Sequence, residues 1–173
     1  MMNTILPANC NQRGSASPGR ELPPDDLRHQ IGEAQLVRLV LDAVATLDFG
    51  PQDRPGTFRN PEGIGALPLL SLVTYAYATG RRASDEIEEA ARRDRGLAYL
   101  AAGQLPSSPT IRRFRRAFNP AITQALWRVL QQAVAHRTTL SIEAKTGLTG
   151  ALLQEARRRV DAAVLADTIA LDY

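Results

Sequence analysis

Four arginines lie within five consecutive positions, at Arg112, Arg113, Arg115 and Arg116. A guanidinium group is planar, stays charged, and binds phosphate or the O6/N7 edge of guanine through two parallel hydrogen bonds. Residues 81–116 carry nine arginines against five acidic residues, which leaves +4, whereas the whole chain has a formal net charge of +3. This concentration of positive charge on a nearly neutral chain indicates a polyanionic partner such as duplex DNA.

Helical geometry separates these arginines from the bulky apolar residues beside them. A helical residue advances by about 100°, so every third or fourth residue shares a face. One narrow stripe is formed by Ile111, Phe114 and Phe118. On the same wheel Arg112, Arg113 and Arg116 lie on the opposite side, and Arg115 flanks the stripe at about 40° from Ile111. The pattern predicts a helix that buries its phenylalanines and presents three guanidinium groups outward.

Such a helix is unfavourable unless a partner neutralises it. Like charges at i, i+3 and i, i+4 destabilise a helix by roughly 0.2–0.5 kcal/mol per pair, and no acidic residue lies among these arginines. Ser108 is the predicted N-cap and Pro109 the first helical position, and this helix start adds backbone N–H groups that favour phosphate. The alternative is a solvated arginine face neutralised by nearby acids, namely Asp85, Glu86, Glu88 and Glu89.

The rest of the chain is expected to be an all-α, compact multi-helix bundle that contains a helix-turn-helix-like unit. Aliphatic residues and alanine recur at helical spacing, and Gly and Pro fall between the apolar runs. Helices are predicted over residues 33–47, 67–79, 84–95, 109–118, 120–135, 141–146 and 149–166. Residues 49–66 contain four glycines and three prolines and are predicted to form a loop. Residues 1–20 are predicted to be a disordered leader.

Several local assignments accompany these helices. Val37, Val40, Leu41, Val44 and Leu47 are predicted to face inward in the first of them. The predicted inner face of the helix over 120–135 consists of Ile122, Leu126, Val129, Leu130 and Ala133. Gly80 is predicted to end the helix over 67–79, and Ser84 is predicted to cap the helix that follows it. In the last segment, Gly147 is expected to separate two helices and Thr149 to cap the second. The inner side of that second helix is predicted from Leu152, Leu153, Ala156, Val160, Ala163 and Val164, with Arg157, Arg158 and Arg159 on its polar arc.

Composition excludes several other classes of function. The single cysteine, Cys10, rules out a disulfide within one chain. Neither His29 nor His136 has another ligand at metal-binding spacing, so no metal and no cofactor are expected. No apolar run approaches the roughly 20 residues that cross a bilayer, and the N-terminus lacks a secretion signal, so no membrane contact and a cytoplasmic location are expected.

Three blocks of the sequence resemble one known family. Tyr75-Ala76-Tyr77-Ala78-Thr79-Gly80 resembles the Tyr-x-Tyr-x-x-Gly helix in the N-terminal domain of InsH-like insertion-sequence transposases. Ser84-Asp85-Glu86-Ile87-Glu88 resembles the Ser-x-x-Ile-Glu helix that follows it. Pro106 and Thr110-Ile111-Arg112-Arg113-Phe114-Arg115 resemble the Pro-x-x-x-Thr-Ile-x-x-Phe-Arg signature that closes the domain. The likeness covers roughly residues 22–135.

The resemblance implies a helical domain that binds the DNA ends of the element in bacterial DNA transposition. In that family a following RNase H-like domain carries an Asp-Asp-Glu triad that binds two metal ions for strand cleavage and transfer. Here Ile169-Ala170-Leu171-Asp172 is only a faint echo of the first catalytic strand, and two carboxylates are missing. No catalytic residue is therefore predicted, and the chain alone is expected not to cut DNA.

The predicted division is a leader (1–20), a helical transposase N-terminal-like DNA-binding domain (21–135) and a helical C-terminal extension (136–173). We expect a truncated or solo transposase N-terminal domain whose partner is double-stranded DNA. The residues predicted to contact DNA are Arg81, Arg82, Ser108, Thr110, Arg112, Arg113, Arg115 and Arg116. The alternative hypothesis is a helical interaction module that oligomerises with itself or with a full-length transposase.

Overall fold

A computed structural model describes residues 22–47, 58–137 and 142–171. In these ranges the chain is all-helical, which confirms the predicted fold class. The helices are α1 (Arg28–Ile31), α2 (Glu33–Ala45), α3 (Ala66–Ala78), α4 (Ser84–Ala91), α5 (Arg95–Leu100), α6 (Ser108–Arg137) and α7 (Ile142–Leu171). The predicted leader, Asp172 and most of the predicted loop 49–66 lie outside the described residues. The helix-turn-helix-like unit stays a prediction.

Helix α3 is the centre of the fold. Eleven of its 13 residues are buried, so it is covered on all sides, as its unbroken apolar composition predicts. It packs against α2, α5, α6 and α7. Gly80 follows it with φ +81°, and the N–H of Arg81 donates to Ala76 O at 2.9 Å. That bond is the outer one of a Schellman ending, which needs a left-handed residue and so ends α3 at the predicted glycine.

Helix α6 is long and kinked. The sequence predicts a new helix at Asn119-Pro120, and the backbone is non-helical at Phe118 (φ −123°, ψ 24°), so α6 consists of two helices joined by a kink at the predicted boundary. Pro120 has no N–H to donate to the preceding turn and its ring crowds that turn, which accounts for a bend at this point. The predicted inner face of the second half is confirmed, since Ile122, Leu126, Val129, Leu130 and Ala133 are all buried.

Helix α7 corrects the prediction for the C-terminal segment. It runs unbroken through Gly147 and past Thr149, whose carbonyl oxygen accepts a hydrogen bond from Trp127 Nε1 at 3.2 Å. A glycine inside a helix costs only about 1 kcal/mol relative to alanine, which packing can offset. Leu148, Leu152, Ala156, Val160 and Ala163 supply that packing, because they are buried in the same cluster as the core of α2, α3 and α6.

Two predicted inward positions are wrong for the same reason. Leu41 is 39% exposed and Val164 is 47% exposed. In α2 the buried stripe is shifted toward Leu36, Leu39 and Ala43, so that Leu41 lies at its edge. Several residues can extend an apolar stripe at helical spacing, and the neighbouring helices decide which of its edges is covered.

Arg159 is the largest departure from the predicted polar arc of α7. Its side chain is only 1% exposed. It donates to the carbonyl oxygens of Pro24 at 2.8 Å and Asp25 at 3.1 Å, and its Nε donates to Glu155 Oε1 at 2.7 Å. Further bonds reach the carbonyls of Pro23 and Tyr77. All five N–H donors of Arg159 are therefore bonded, one to Glu155 and four to carbonyl oxygens of the irregular segment 23–25 and of the end of α3.

Candidate nucleic-acid interface

The first half of α6 is oriented as its periodicity predicts. Ile111 and Phe114 are fully buried and Phe118 is 4% exposed. The rings of Phe114 and Phe118 stack with centroids 4.7 Å apart, and Phe58 meets Phe114 edge-on at 5.2 Å. Phe58 lies in an irregular segment, so no periodicity could have placed it there. This aromatic cluster holds one face of α6 against the core and thereby determines which residues face outward.

The opposite side of α6 carries Arg112, Arg113 and Arg116, which we call the arginine face. Arg113 and Arg116 are exposed and Arg112 is half-buried. Within the part of the chain that the structure describes, none of the three forms an ion pair with a carboxylate.

The acids of α4 are directed elsewhere than the arginine face. Glu88 pairs with Arg92 and Glu89 with Arg93, both at i, i+4. The backbone N–H of Arg82 donates to Glu86. Arg112 is near enough to contribute to a lowered pKa of Glu88, after the larger effects of hydrogen bonds from Ser108 and the charge of Arg92. The solvated alternative, in which these acids neutralise the arginines by direct pairing, therefore finds no support among the described ion pairs.

The N-terminus of α6 is already occupied by two carboxylates. Glu88 Oε2 accepts from the backbone N–H of Ser108 at 2.7 Å and from its hydroxyl at 2.5 Å. Glu62 accepts from the hydroxyls of Ser107 and Thr110, the latter at 2.7 Å. Partial burial opposes ionisation of Glu62, but these hydrogen bonds leave its pKa lowered. Because carboxylates stabilise the positive end of the helix dipole, this end of α6 needs no phosphate.

Ser108 and Thr110, predicted to contact DNA, are therefore directed inward. Thr110 is 1% exposed and Ser108 is 8% exposed. Their hydroxyl groups are committed to Glu88 in the case of Ser108 and to Glu62 in the case of Thr110. The prediction that Ser108 is the N-cap is wrong by one residue. The carbonyl oxygen of Ser107 accepts from Ile111 N, and α6 begins at Ser108 itself.

Arg115 is the one arginine of the cluster that turns into the protein. It is 4% exposed, and its Nη1 lies 2.5 Å from Asp167 Oδ2. Its Nη2 donates to the carbonyl oxygen of Arg82, and its guanidinium carbon lies 5.2 Å from the centroid of the Tyr77 ring. The position of Arg115 beside the apolar stripe on the helical wheel indicates this burial. Its acidic partner, however, lies 52 residues further along the chain.

Asp167 also overturns the predicted cap of α4. The residue that precedes α4 is Ala83, and Ser84 is its first residue. The Ser84 backbone N–H donates to Asp167 Oδ1 at 2.7 Å and its hydroxyl donates to Oδ2 at 2.8 Å. A carboxylate from α7 thus caps α4 in place of a local side chain. Asp167 extends the buried series Val160 and Ala163 at helical spacing, and this is the signal that could have indicated its burial.

Arg81 and Arg82 differ from the arginine face because each of them forms an ion pair. Arg81 Nη2 lies 2.9 Å from Asp94 Oδ2, and Arg82 Nη2 lies 3.1 Å from Asp25 Oδ1. Both side chains are less than one-third exposed. They brace the turn between α3 and α4 against neighbouring acids.

Comparison of the chain with protein-family models, with curated proteins and with solved structures found no match. Among the described residues no group of three or more His, Cys, Asp or Glu side chains could hold a metal ion. None of the described helices combines the length and the apolar character that crossing a bilayer requires.

Proposed function

We propose that this chain binds duplex DNA through the arginine face. The observation that carries the proposal is the arrangement of α6: three guanidinium groups point away from a buried aromatic stripe and form no ion pair with the described carboxylates. Their mutual repulsion costs roughly 0.2–0.5 kcal/mol per i, i+3 or i, i+4 pair. A polyanion removes that repulsion, and phosphate or the guanine edge matches the guanidinium fork.

The DNA-contacting set in this proposal is narrower than the one predicted from sequence. It keeps Arg112, Arg113 and Arg116, because Ser108, Thr110 and Arg115 are buried and bonded internally. Arg81 and Arg82 are held by Asp94 and Asp25 and stay in the proposal only as second-rank candidates.

We further propose that the chain derives from the N-terminal domain of an InsH-like transposase and recognises the ends of such an element. The resemblance of the three sequence blocks is the support for this descent. In this proposal the first half of α6 approaches the major groove as the second helix of a helix-turn-helix unit does, with α4 in the place of the first helix. Helix α5 lies between them in the chain, so the connection is longer than an ordinary turn.

The experiment is a salt titration of binding to fluorescently labelled duplex DNA, measured by anisotropy. Affinity should fall steeply with salt, because neutralising phosphates releases condensed counterions. Replacing Arg112, Arg113 and Arg116 together by Ala should flatten the slope of log K against log salt by about 0.9 for each phosphate that the variant no longer neutralises.

The matched control replaces Arg92, Arg93 and Arg95 by Ala. It removes the same charge from exposed positions, two of which are already paired with acids of α4. This variant should keep most of the salt slope. An unchanged slope in the α6 variant, or equal losses in the two variants, contradicts the assignment to the arginine face.

A second candidate function is a helical interaction module that pairs with itself or with a transposase. The observation that favours it is the apolar surface near the end of α7, where Val164, Leu165 and Ile169 are 47%, 60% and 52% exposed. Light scattering separates the two functions. A stable dimer without DNA affinity at low salt supports this candidate and rejects the first.

A further inference from the structure

A cavity of about 230 Å³ lies between the first half of α6 and the end of α7. We call it the α6–α7 cavity. Its lining includes Arg112 and Arg116 of the arginine face, together with Arg115, Asn119, Asp167 and Thr168. Pockets for drug-sized ligands measure about 300–1,000 Å³, so this cavity suits a small group and not a large molecule.

The charge of the lining favours an anion. Three arginines against one aspartate leave an excess of two positive charges around the α6–α7 cavity. The single carboxylate is already committed, since Asp167 accepts hydrogen bonds from Ser84 and pairs with Arg115. Asn119 and Thr168 add neutral polar groups to the lining. A doubly charged oxyanion would balance this excess.

A second observation concerns Arg115 itself. Its side chain is 5% exposed, and its Nε–H is buried without a hydrogen-bond partner among the described residues. Buried donors in folded proteins are nearly always satisfied, because leaving one unpaired costs free energy. The other two guanidinium nitrogens are occupied by Asp167 and by backbone carbonyls. Arg115 lines the α6–α7 cavity, so it adds a positive charge and an unsatisfied donor beside that space.

We propose that the α6–α7 cavity binds one phosphate group, with Arg116 and Arg112 at its opening and Arg115 at its wall. This inference rests on the proposed function, because we assign the phosphate to the backbone of bound duplex DNA. Free inorganic phosphate has the same chemistry and is the other source. A backbone phosphate held here would fix the position of α6 on the duplex without reading a base.

The test is a titration of the folded chain with inorganic phosphate at constant ionic strength, followed by backbone amide shifts in NMR spectra. Saturable shifts are expected near Arg116 and Thr168. Arg112→Gln and Arg116→Gln should each weaken phosphate binding about tenfold, since a charge-assisted hydrogen bond is removed. Thr168→Glu places a carboxylate at the lining and should weaken it at least as much. The spectra themselves report whether each variant is folded.

Arg113→Gln is the matched control. It removes the same charge from the same helix, at an exposed position that does not line the cavity. It should change phosphate affinity by less than about threefold, because salt screens a solvated charge. Shifts that do not saturate, or an equal loss in Arg113→Gln, would overturn the cavity site and leave only diffuse attraction of anions.

Duplex DNA distinguishes the two sources. If a backbone phosphate occupies the cavity, saturating duplex competes with inorganic phosphate and raises its apparent dissociation constant; if free phosphate is the ligand, duplex leaves that constant unchanged and overturns the assignment to DNA. Salt-dependent DNA binding without saturable phosphate binding overturns the cavity site alone. Saturable phosphate binding without DNA binding overturns the proposed function alone.

Discussion

Two groups of arginines in this protein contrast in their burial and in their bonding. Arg112, Arg113 and Arg116 face outward and form no ion pair with a described carboxylate. Arg115 and Arg159 are 4% and 1% exposed, and each is bonded to a buried acid and to backbone carbonyls. The first group has no carboxylate partner among the described residues, whereas the donors of the second are bonded within the fold.

The difference shows what burial requires of a charge. A guanidinium group moved out of water needs a carboxylate and several acceptors, or the desolvation cost exceeds the gain. Arg159 has Glu155 and four carbonyl oxygens, and Arg115 has Asp167 and two carbonyls. No such set surrounds the arginine face among the described residues, so stability should depend on Arg115 and Arg159, and the proposed DNA binding on the arginine face.

Arg159→Ala should have the largest effect on folding. It leaves the carbonyls of residues 23–25 and of Tyr77 without their donor, while the buried Glu155 keeps its pair with Arg158, so we expect a loss of about 3–5 kcal/mol. Urea unfolding followed by circular dichroism measures it. Arg157→Ala, exposed on the same helix, should stay within about 0.5 kcal/mol. Equal losses would mean that the hydrogen bonds of Arg159 add nothing to stability.

Arg115→Met should cost less, about 2–3 kcal/mol, because Asp167 keeps its two hydrogen bonds from Ser84 after losing its cation. The neighbouring Arg116→Met is the control. It changes the same side chain at an exposed position and should stay within about 0.5 kcal/mol in the same unfolding experiment. A larger loss for Arg116 than for Arg115 would reverse the division into two groups.

Acidic pH should weaken the carboxylates that cap α6 and pair with the buried arginine. The pKa values of Glu62, Glu88 and Glu155 are lowered from the ordinary 4.5. The unfolded chain therefore binds more protons, so their stabilisation is complete above about pH 4.5 and is lost as pH falls through the lower folded values. The unfolding free energy, measured from pH 7 to pH 3, should therefore stay nearly constant down to about pH 4.5 and decrease below it.

Glu88→Gln isolates one of these carboxylates. At pH 7 it should cost about 1 kcal/mol, since a neutral amide accepts more weakly from Ser108 and does not balance the helix dipole. The pH dependence of stability should become flatter in this variant. Glu89→Gln, whose exposed pair with Arg93 contributes little, should leave the curve nearly unchanged. An equally flattened curve for both would assign the effect to net charge.

The smallest expected effect is a gain in stability, in contrast to the losses expected above. Replacing Arg112, Arg113 and Arg116 together by Gln removes three like-charged helical pairs and should raise stability by up to about 1 kcal/mol. Arg92→Gln with Arg93→Gln breaks two exposed ion pairs and should lower it slightly. A clear loss of stability in the α6 variant, measured by thermal unfolding, would show that the arginine face has an internal structural role.

Local sequence predicted much of the fold and part of the site. The unbroken apolar run of α3, its ending at Gly80 and the buried side of α6 follow from residue type and spacing. The site was predicted less well where a residue has two possible partners. Ser84 looks like a cap by itself, but Asp167 supplies a stronger acceptor from α7. Glu62 and Glu88 similarly cap α6, so Ser108 bonds to Glu88 and not to a phosphate.

The sequence by itself determined the angular order of residues around each helix, because a rise and rotation per residue are properties of the backbone alone. It therefore separated Phe114 and Phe118 from the arginine face without any knowledge of the fold. Only the tertiary structure decided that Arg115 and Arg159 are buried, that α7 continues through Gly147, and that Leu41 is left at an edge. Each of these depends on which helix lies alongside, and the partners involved are up to 136 residues apart in the chain.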